Sequence, residues 1–523
     1  MAHVASPATP AKDASQVSHV EDGVSPQDVL AGAAARGQSA TGYEHLTPWQ
    51  TASMFRYATL VCFLAAFSAA ADCYQVVINS GIIANAGFVH RFATETDATG
   101  GPALSSPVLS GWGSTMSVGQ VLGMLSLSFV SARVGRKPAM YALWGLLVAS
   151  VIVECVAWAW PHWLVAKLFA GVGIGGIQTI IPTFWWSIGG VMGTLALQRL
   201  NAQNALDYLT PIYTQWAQIG IMGIIYLVVP ESPAWYVSVG KVDQAQKALE
   251  RLNGKVAGYD AARETEALAL MAEHERALAV EQRREHWYAI FQGVDGKRTL
   301  TTLWTITSQQ FIGLTLFGTF GTYFFQQAGL QEPFTITLIN ASIGLGTVLL
   351  TVLAVDSIGR RNLACAGTTV CWLACVAIGV VGVAPTSAAS TYVFVAFTCV
   401  WQVGLAINGA TGWGYIGEIS SQRLRPYTAG FSAAVSCIVG IVMNILVPYM
   451  VNSIQWNWGL KTGWFYAGVG LPFVVGMWLL IPETTGRSAA ELDELFERKI
   501  KPWRFHKTET SAQRPIAAVG EKE

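Results

Sequence analysis

The sequence predicts an all-α integral membrane fold, with about twelve membrane-spanning helices in two six-helix halves and a helical segment between them. Three observations predict it. First, 52% of the 523 residues are hydrophobic and only 12% are charged, against about 25% charged in an average soluble domain. Second, apolar runs long enough to cross the hydrocarbon core, about 20 residues, begin near Arg56, Val108, Pro138, His162, Phe184, Pro211, Leu300, Phe334, Leu363, Thr391, Tyr427 and Thr462. Third, two short signatures recur. VGRKPA (134–139) returns as IGRRNLA (358–364), and VVPESPAW (228–235) returns as LIPETTGR (480–487).

Taken in order, residues 1–47 are polar, rich in Ala, Ser and Gly, and lack a signal-type apolar core. They read as a disordered cytoplasmic tail. Residues 48–239 hold the first six runs. Residues 240–299 are dense in charge, with Ala and Leu at helical spacing, and read as soluble amphipathic helices. Residues 300–486 hold the second six runs, and 487–523 form a second cytoplasmic tail. Lys and Arg concentrate after the second, sixth, eighth, tenth and twelfth runs. The positive-inside rule then places both termini and the central segment in the cytoplasm. Two such halves suit a secondary transporter whose site lies between them.

The halves are unequal. Gly135 and Pro230 are 95 positions apart, whereas Gly359 and Pro482 are 123 apart. No Asp, Glu, Lys or Arg lies between Lys167 and Arg199. Twelve spans therefore need a hairpin near 181–186 with no polar loop. One long tilted helix, giving eleven spans, is the alternative, but it sets the two basic turns on opposite sides of the membrane.

Composition also excludes classes. The formal net charge is zero, so nothing points to nucleic acid. The eight Cys sit in apolar runs without metal spacing and read as small buried hydrophobes. No nucleophile–base set stands out, and neither an enzyme nor a cofactor is expected.

The motifs GRK and DSIGRR, PESPAWYVSVGKVDQAQKAL, QQFIGLTLFGTFGTYFF, GWGYIGEISSQRLR and PETTGRSAAELDELFE occur in that order. Together they resemble the sugar porters of the major facilitator superfamily, over roughly residues 51–501. WNWGLKTGWF and ELDELFERKI look most like fungal α-glucoside (maltose-type) and related permeases. The resemblance implies a monomer in the plasma membrane that moves a hexose or α-glucoside by facilitated diffusion or proton symport. A sugar sensor on the same fold is one rival. A non-functional product shortened between spans four and five is another.

The resemblance also implies roles. Gln309 and Gln310 match the amide pair that hydrogen-bonds sugar hydroxyls. Amides offer donors and acceptors without a charge to desolvate. Trp413 matches the Trp that stacks on the sugar ring. Family amides fall instead on Thr315, Gly344 and Gly190, and a Gly-Pro pair becomes Gly409-Ala410, which leaves that helix straighter. Arg360, Arg361, Glu418, Arg425 and Glu483 match a cytoplasmic gate. Its first-half counterpart has Arg133, Arg136 and Glu231 but lacks the loop Glu. Ala132 and Ser357 replace further charged positions.

Asp72 interrupts an otherwise uncharged run, and an intramembrane carboxylate is by default functional. The family's proton-coupling acid falls on Gln75, three residues on, and its cationic partner on Lys167. As a neutral amide, Gln75 is grouped with the sugar-binding candidates. Asp72 is read as a displaced proton carrier, a structural ion pair with Lys167, or a solvated cavity group. The last two are preferred, because the matching position is an amide. Asn444 is a cavity candidate. Gln178 and Asn340 suit the cavity or a helix–helix hydrogen bond equally. Glu154 and His162 read as interfacial, and Gly171, Gly173, Gly175 and Gly176 as close-packing positions.

Overall fold

The computed structural model describes residues 48–510, apart from 97–99, 178–182, 257, 285, 386, 413, 414, 416–418, 422, 423, 488 and 509. Each predicted span coincides with a helix among these residues. They are numbered here by span: α1 Phe67–Gly81, α2 Ser106–Val134, α3 Arg136–Val156, α4 Trp160–Ile177, α5 Thr183–Gln203, α6 Leu209–Val228, α7 Gly293–Phe311, α8 Pro333–Ile358, α9 Arg360–Val381, α10 Ala388–Gly412, α11 Arg425–Val451 and α12 Thr462–Leu480. A helix at Arg56–Ala65 leads into α1. By length and hydropathy alone, seven described segments can cross a membrane, at the positions of α1, α3 and α8–α12. The others are helices of 18 to 29 residues.

Two compact units form. The first joins the described residues up to Thr59 with Ser232–Val280. Its helix Val242–Asn253 buries Ala245, Ala248 and Leu249, the i, i+3, i+4 stripe of an amphipathic helix. Asp260 opens the next helix, Ala261–Arg284, by accepting from the amides of Ala262 and Arg263, a side-chain cap.

The second unit, Leu60–Glu231 with the described residues from Glu281 onward, holds the span helices. In the first half α2 packs on α4, α3 on α4 and α6, and α1 on α5. In the second half α8 and α9 pack on α10, α9 on α12, and α7 on α11. The halves meet along α2–α11 and α5–α8. The predicted hairpin near 181–186 falls partly outside the described residues. On either side of it, α4 packs against α2 and α3, whereas α5 packs against α1 and α8.

Beyond α12, the helix Ala489–Glu497 and the 3-10 turn Pro502–Lys507 seat Leu492, Leu495 and Phe505 on α9 and α12 residues. Buried Arg298 of α7 pairs with Asp493 and lies over the Phe496 ring, 4.6 Å from its centroid. This part of the C-terminal segment is thus packed onto the second half.

The loop before α6 carries its own cap. Asp207 accepts from the amides of Leu209 and Thr210 at 3.1 and 3.0 Å and from the Thr210 hydroxyl at 2.6 Å. These bonds, the Thr210 hydroxyl first, hold its carboxyl below the usual carboxylate range. A depressed folded-state pKa stabilises above the unfolded value, about 3.9, and is lost as pH falls through the folded value. Asp207→Ala is expected to cost about 1 kcal/mol. Thermal unfolding should show the full deficit near neutrality and a shrinking one in acid below the unfolded pKa.

Candidate functional site

The basic turns come first, because they repeat. Gly135 and Gly359 precede α3 and α9 with φ of 115° and 91°. A Cβ on Gly359 would come within 2.5 Å of the Glu483 carboxylate. Glycine is therefore required by conformation and by space. Glu231 accepts from the backbone amides of Arg136 and Lys137 at 3.2 and 3.0 Å. Glu483 accepts from those of Arg360 and Arg361 at 3.0 and 3.2 Å. Each carboxylate thus caps the positive end of its half's third helix. In return, Arg361 donates to the Trp478 and Ile481 carbonyls, both at 2.7 Å, and Lys137 to the Leu227 carbonyl at 3.4 Å. These basic side chains cap the final turns of α12 and α6. The two halves are alike in this backbone capping; the loop Glu that the first half lacks in sequence is a separate feature. Arg133 lies in the last turn of α2. Glu418 lies outside the described residues, and Arg425 opens α11.

Opposite the basic turns, the halves close on each other. Ser106 and Ser110 of α2 donate to the Pro448 and Ile445 carbonyls of α11 at 3.2 and 2.9 Å. Asn452 donates to the Ser106 hydroxyl at 3.1 Å. One apolar cluster there joins Ile78, Phe88 and Trp163 of the first half to Phe324, Phe394 and Val447 of the second. Nearer the basic turns, the buried clusters are split. One holds first-half residues around Leu143 and Tyr226, and the other holds second-half residues around Cys365 and Tyr415.

The seventh span breaks within the joined cluster, to which Ile312, Leu316 and Phe317 belong. α7 ends at Phe311, Gly313 takes the left-handed conformation, and a π-helical turn, Leu314–Thr319, precedes the helix Gly321–Gln327. Trp401 of α10 holds the break by donating to the Ile312 carbonyl at 2.7 Å. Thr315 donates to the Gln310 amide oxygen at 3.2 Å. Gly440 of α11 abuts Gln310, and Asn444, one turn on, donates to the Ser117 hydroxyl of α2 at 3.0 Å. Half-buried Gln310 and Ser117 and buried Thr315 and Asn444 thus gather where α2 and α11 cross. The Asn444 amide oxygen is buried without a donor among the described residues.

Other sequence candidates fall elsewhere. Gln309 donates to Asn408 at 2.8 Å, and Asn408 to Thr368 at 2.7 Å, inside the second half. Trp413 and Gln178 lie outside the described residues. Asn340 is buried on α8, and its amide oxygen meets no donor among the described residues. At Gly344 a Cβ would meet the Gln402 amide within 2.5 Å. The space an Asn at 344 would fill is occupied by an amide from α10.

Gln75 belongs to a different cluster. It donates to the Ser150 hydroxyl at 3.4 Å. Ser150 in turn lies 3.4 Å from the Glu154 carboxylate, which accepts from Gln215 of α6 at 2.8 Å. Lys167 reaches the Asn79 carbonyl at 3.4 Å and lies 4.9 Å from the Trp163 ring centroid. All these polar side chains are buried. The interfacial reading of Glu154 is therefore corrected: α3 runs on to Val156 and turns Glu154 inward, toward Gln215. His162 is half-buried against the Trp158 ring, 4.6 Å away. Asp72 is fully buried, and neither carboxylate oxygen meets a donor among the described residues. No Asp72–Lys167 ion pair forms among the described residues.

Known proteins share both the sequence pattern and this architecture. The family profile described as "Sugar (and other) transporter" matches residues 61–185 and 183–496. The chain belongs to that family. It is a multi-pass membrane transporter of the major facilitator superfamily. The chain is 30% identical to MFS transporter fmqE of Aspergillus fumigatus over 454 residues, covering 83% of this chain and 84% of that one. It is 26% identical to the general alpha-glucoside permease of Saccharomyces cerevisiae, covering 83% and 74%. Among solved structures, the inward open conformation of the xylose transporter XylE from E. coli superposes with a TM-score of 0.66 at 18% identity, over 84% of this chain and 100% of that one. That likeness establishes the fold. These relatives are permeases and transporters, not enzymes. The family match breaks at 183–185, where the sequence places its shortened stretch.

Proposed function

We propose that this family member moves a sugar, a hexose or an α-glucoside, across the plasma membrane by alternating access of its two halves. Both termini and the basic turns face the cytoplasm, and the conformation described here is closed toward the outside. One observation carries the reading. Span seven breaks beside α11, and the break holds Thr315 on Gln310, which abuts Gly440 one turn from the Asn444–Ser117 bond between α11 and α2. Broken helices beside a midplane site are a recurring transporter device. Neutral amides and hydroxyls are the groups that match a polyol without a charge to desolvate. The names of the α-glucoside and xylose relatives agree with that chemistry.

Purified full-length protein in liposomes preloaded with unlabelled maltose or glucose is the test. It is expected to take up the labelled sugar transiently by counterflow, saturably and with preference among saccharides. Labelled mannitol is expected to stay outside.

A further inference from the structure

We propose that Glu154, with Lys167 as its countercharge, is a proton-binding site of the transport cycle. The inference rests on the sugar-transport reading and deepens it, adding the second ion that the sugar pocket does not supply. Glu154 and Lys167 are both buried within membrane-spanning helices, where ionisable groups are costly and mark ion pathways. They do not close on each other as a contact pair. Glu154 is held by the neutral donors Gln215 and Ser150. Lys167 is held by the Asn79 carbonyl and the Trp163 ring. A tight ion pair would be a static brace. Here each charge keeps neutral partners, so a proton can join or leave the carboxylate while the Gln215 hydrogen bond persists.

The step balances simply. A proton from water forms an O–H bond on Glu154 and leaves the Lys167 charge uncompensated, and its release restores the neutral pair. Four helices hold the site. Around Glu154 stand Lys167 from α4, Gln215 from α6, Asn79 from α1 and Ser150 from α3 itself, with Gln75 of α1 behind Ser150. Lys167 is the one charged side chain among them. Asp72, on the Asn79 face of α1 two turns earlier, stands beside Tyr226 and has no hydrogen-bond donor among the described residues. It therefore lacks the countercharge that Glu154 has. Because Gln75 and Asn79 come from α1 while the acid and base come from α3 and α4, displacement of α1 alters the site. α1 also packs on the helix Gly321–Gln327 of the second half, so movement between the halves that exposes the sugar reaches the proton site through α1.

The test compares two assays on the full chain in liposomes, with labelled D-glucose and maltose: counterflow without a gradient, and accumulation under a pH gradient. With one proton per sugar, a gradient of about one pH unit supports an accumulation ratio of about ten. The unsubstituted protein is expected to approach it. Glu154→Gln is expected to keep counterflow and fall to a ratio of one, and Glu154→Asp to recover accumulation. The double variant Glu154→Gln/Lys167→Met leaves no orphaned buried charge and is expected to match Glu154→Gln. Accumulation by either the single Glu154→Gln variant or the double variant at the level of the unsubstituted protein overturns the inference. So does counterflow with no response to the gradient in the unsubstituted protein, which leaves the sugar-transport reading intact. Absence of counterflow in the unsubstituted protein overturns that reading, and this inference with it.

Discussion

Gly175→Leu is expected to abolish the folded protein rather than slow it. α4 crosses α2 through Gly119, Gly171 and Gly175, with backbone against backbone. A Cβ on Gly175 would overlap the Gln120 carbonyl oxygen, one on Gly171 the Met116 carbonyl oxygen, and one on Gly119 would lie 2.6 Å from the Leu168 carbonyl oxygen. Small residues four apart allow such an approach, and membrane helices gain their association from packing at this range. A core side chain that is too large costs about 1–3 kcal/mol when neighbouring side chains can yield. Here the obstacle is backbone, so the cost is expected to exceed roughly 3 kcal/mol, a large share of a domain's usual stability. Gly220→Leu is the control, because nothing stands within 4 Å of a Cβ there. Monodisperse yield in detergent should collapse for Gly171→Leu and Gly175→Leu and persist for Gly220→Leu.

Gln310→Ala is expected to weaken transport while leaving the fold intact, and Gln309→Ala is expected to do the reverse. The two amides are adjacent in sequence and face different surroundings. Gln309 is buried in the Asn408–Thr368 chain. Its loss leaves a buried Asn partly unpaired, at about 1–3 kcal/mol, and should lower the thermal unfolding midpoint. Gln310 is half-buried and accepts from Thr315 at the broken span. Losing its amide from a sugar contact should cost a similar 1–3 kcal/mol of binding, roughly five- to a hundredfold in kcat/KM. Asn444→Ala should combine both defects, because Asn444 also ties α11 to α2. Initial counterflow rates against sugar concentration, alongside unfolding curves, separate these cases. Equal loss of stability in Gln309→Ala and Gln310→Ala would contradict the assignment.

Much of the architecture is legible in the sequence because its signals are local. Apolar runs mark the spans, Pro-Glu and Gly-Arg pairs mark the ends, and Ala-Leu spacing marks the helices of the first unit. What escapes is set by which way a side chain turns. Glu154 looks interfacial because it lies near the end of its run, shortly before Trp158 and Trp160. It is buried because α3 persists to Val156 and Gln215 waits on α6. Gln215 and Lys167, polar residues inside neighbouring apolar runs, are the available signal. Its matching position groups Gln75 with the sugar contacts, yet it hydrogen-bonds Ser150 beside Glu154. The break at 312–320 is hidden as well. A continuous apolar pattern does not report a left-handed Gly313 or the Trp401 bond that fixes it. The Gly359–Glu483 approach is visible only as a motif, since a carboxylate that caps backbone amides looks in sequence like a salt-bridge partner.

The most direct test of the transport account is counterflow of labelled maltose and glucose into preloaded liposomes containing folded full-length protein. The account predicts a saturable overshoot with at least one of these sugars, reduced in Gln310→Ala. Well-folded protein that exchanges neither sugar would contradict it.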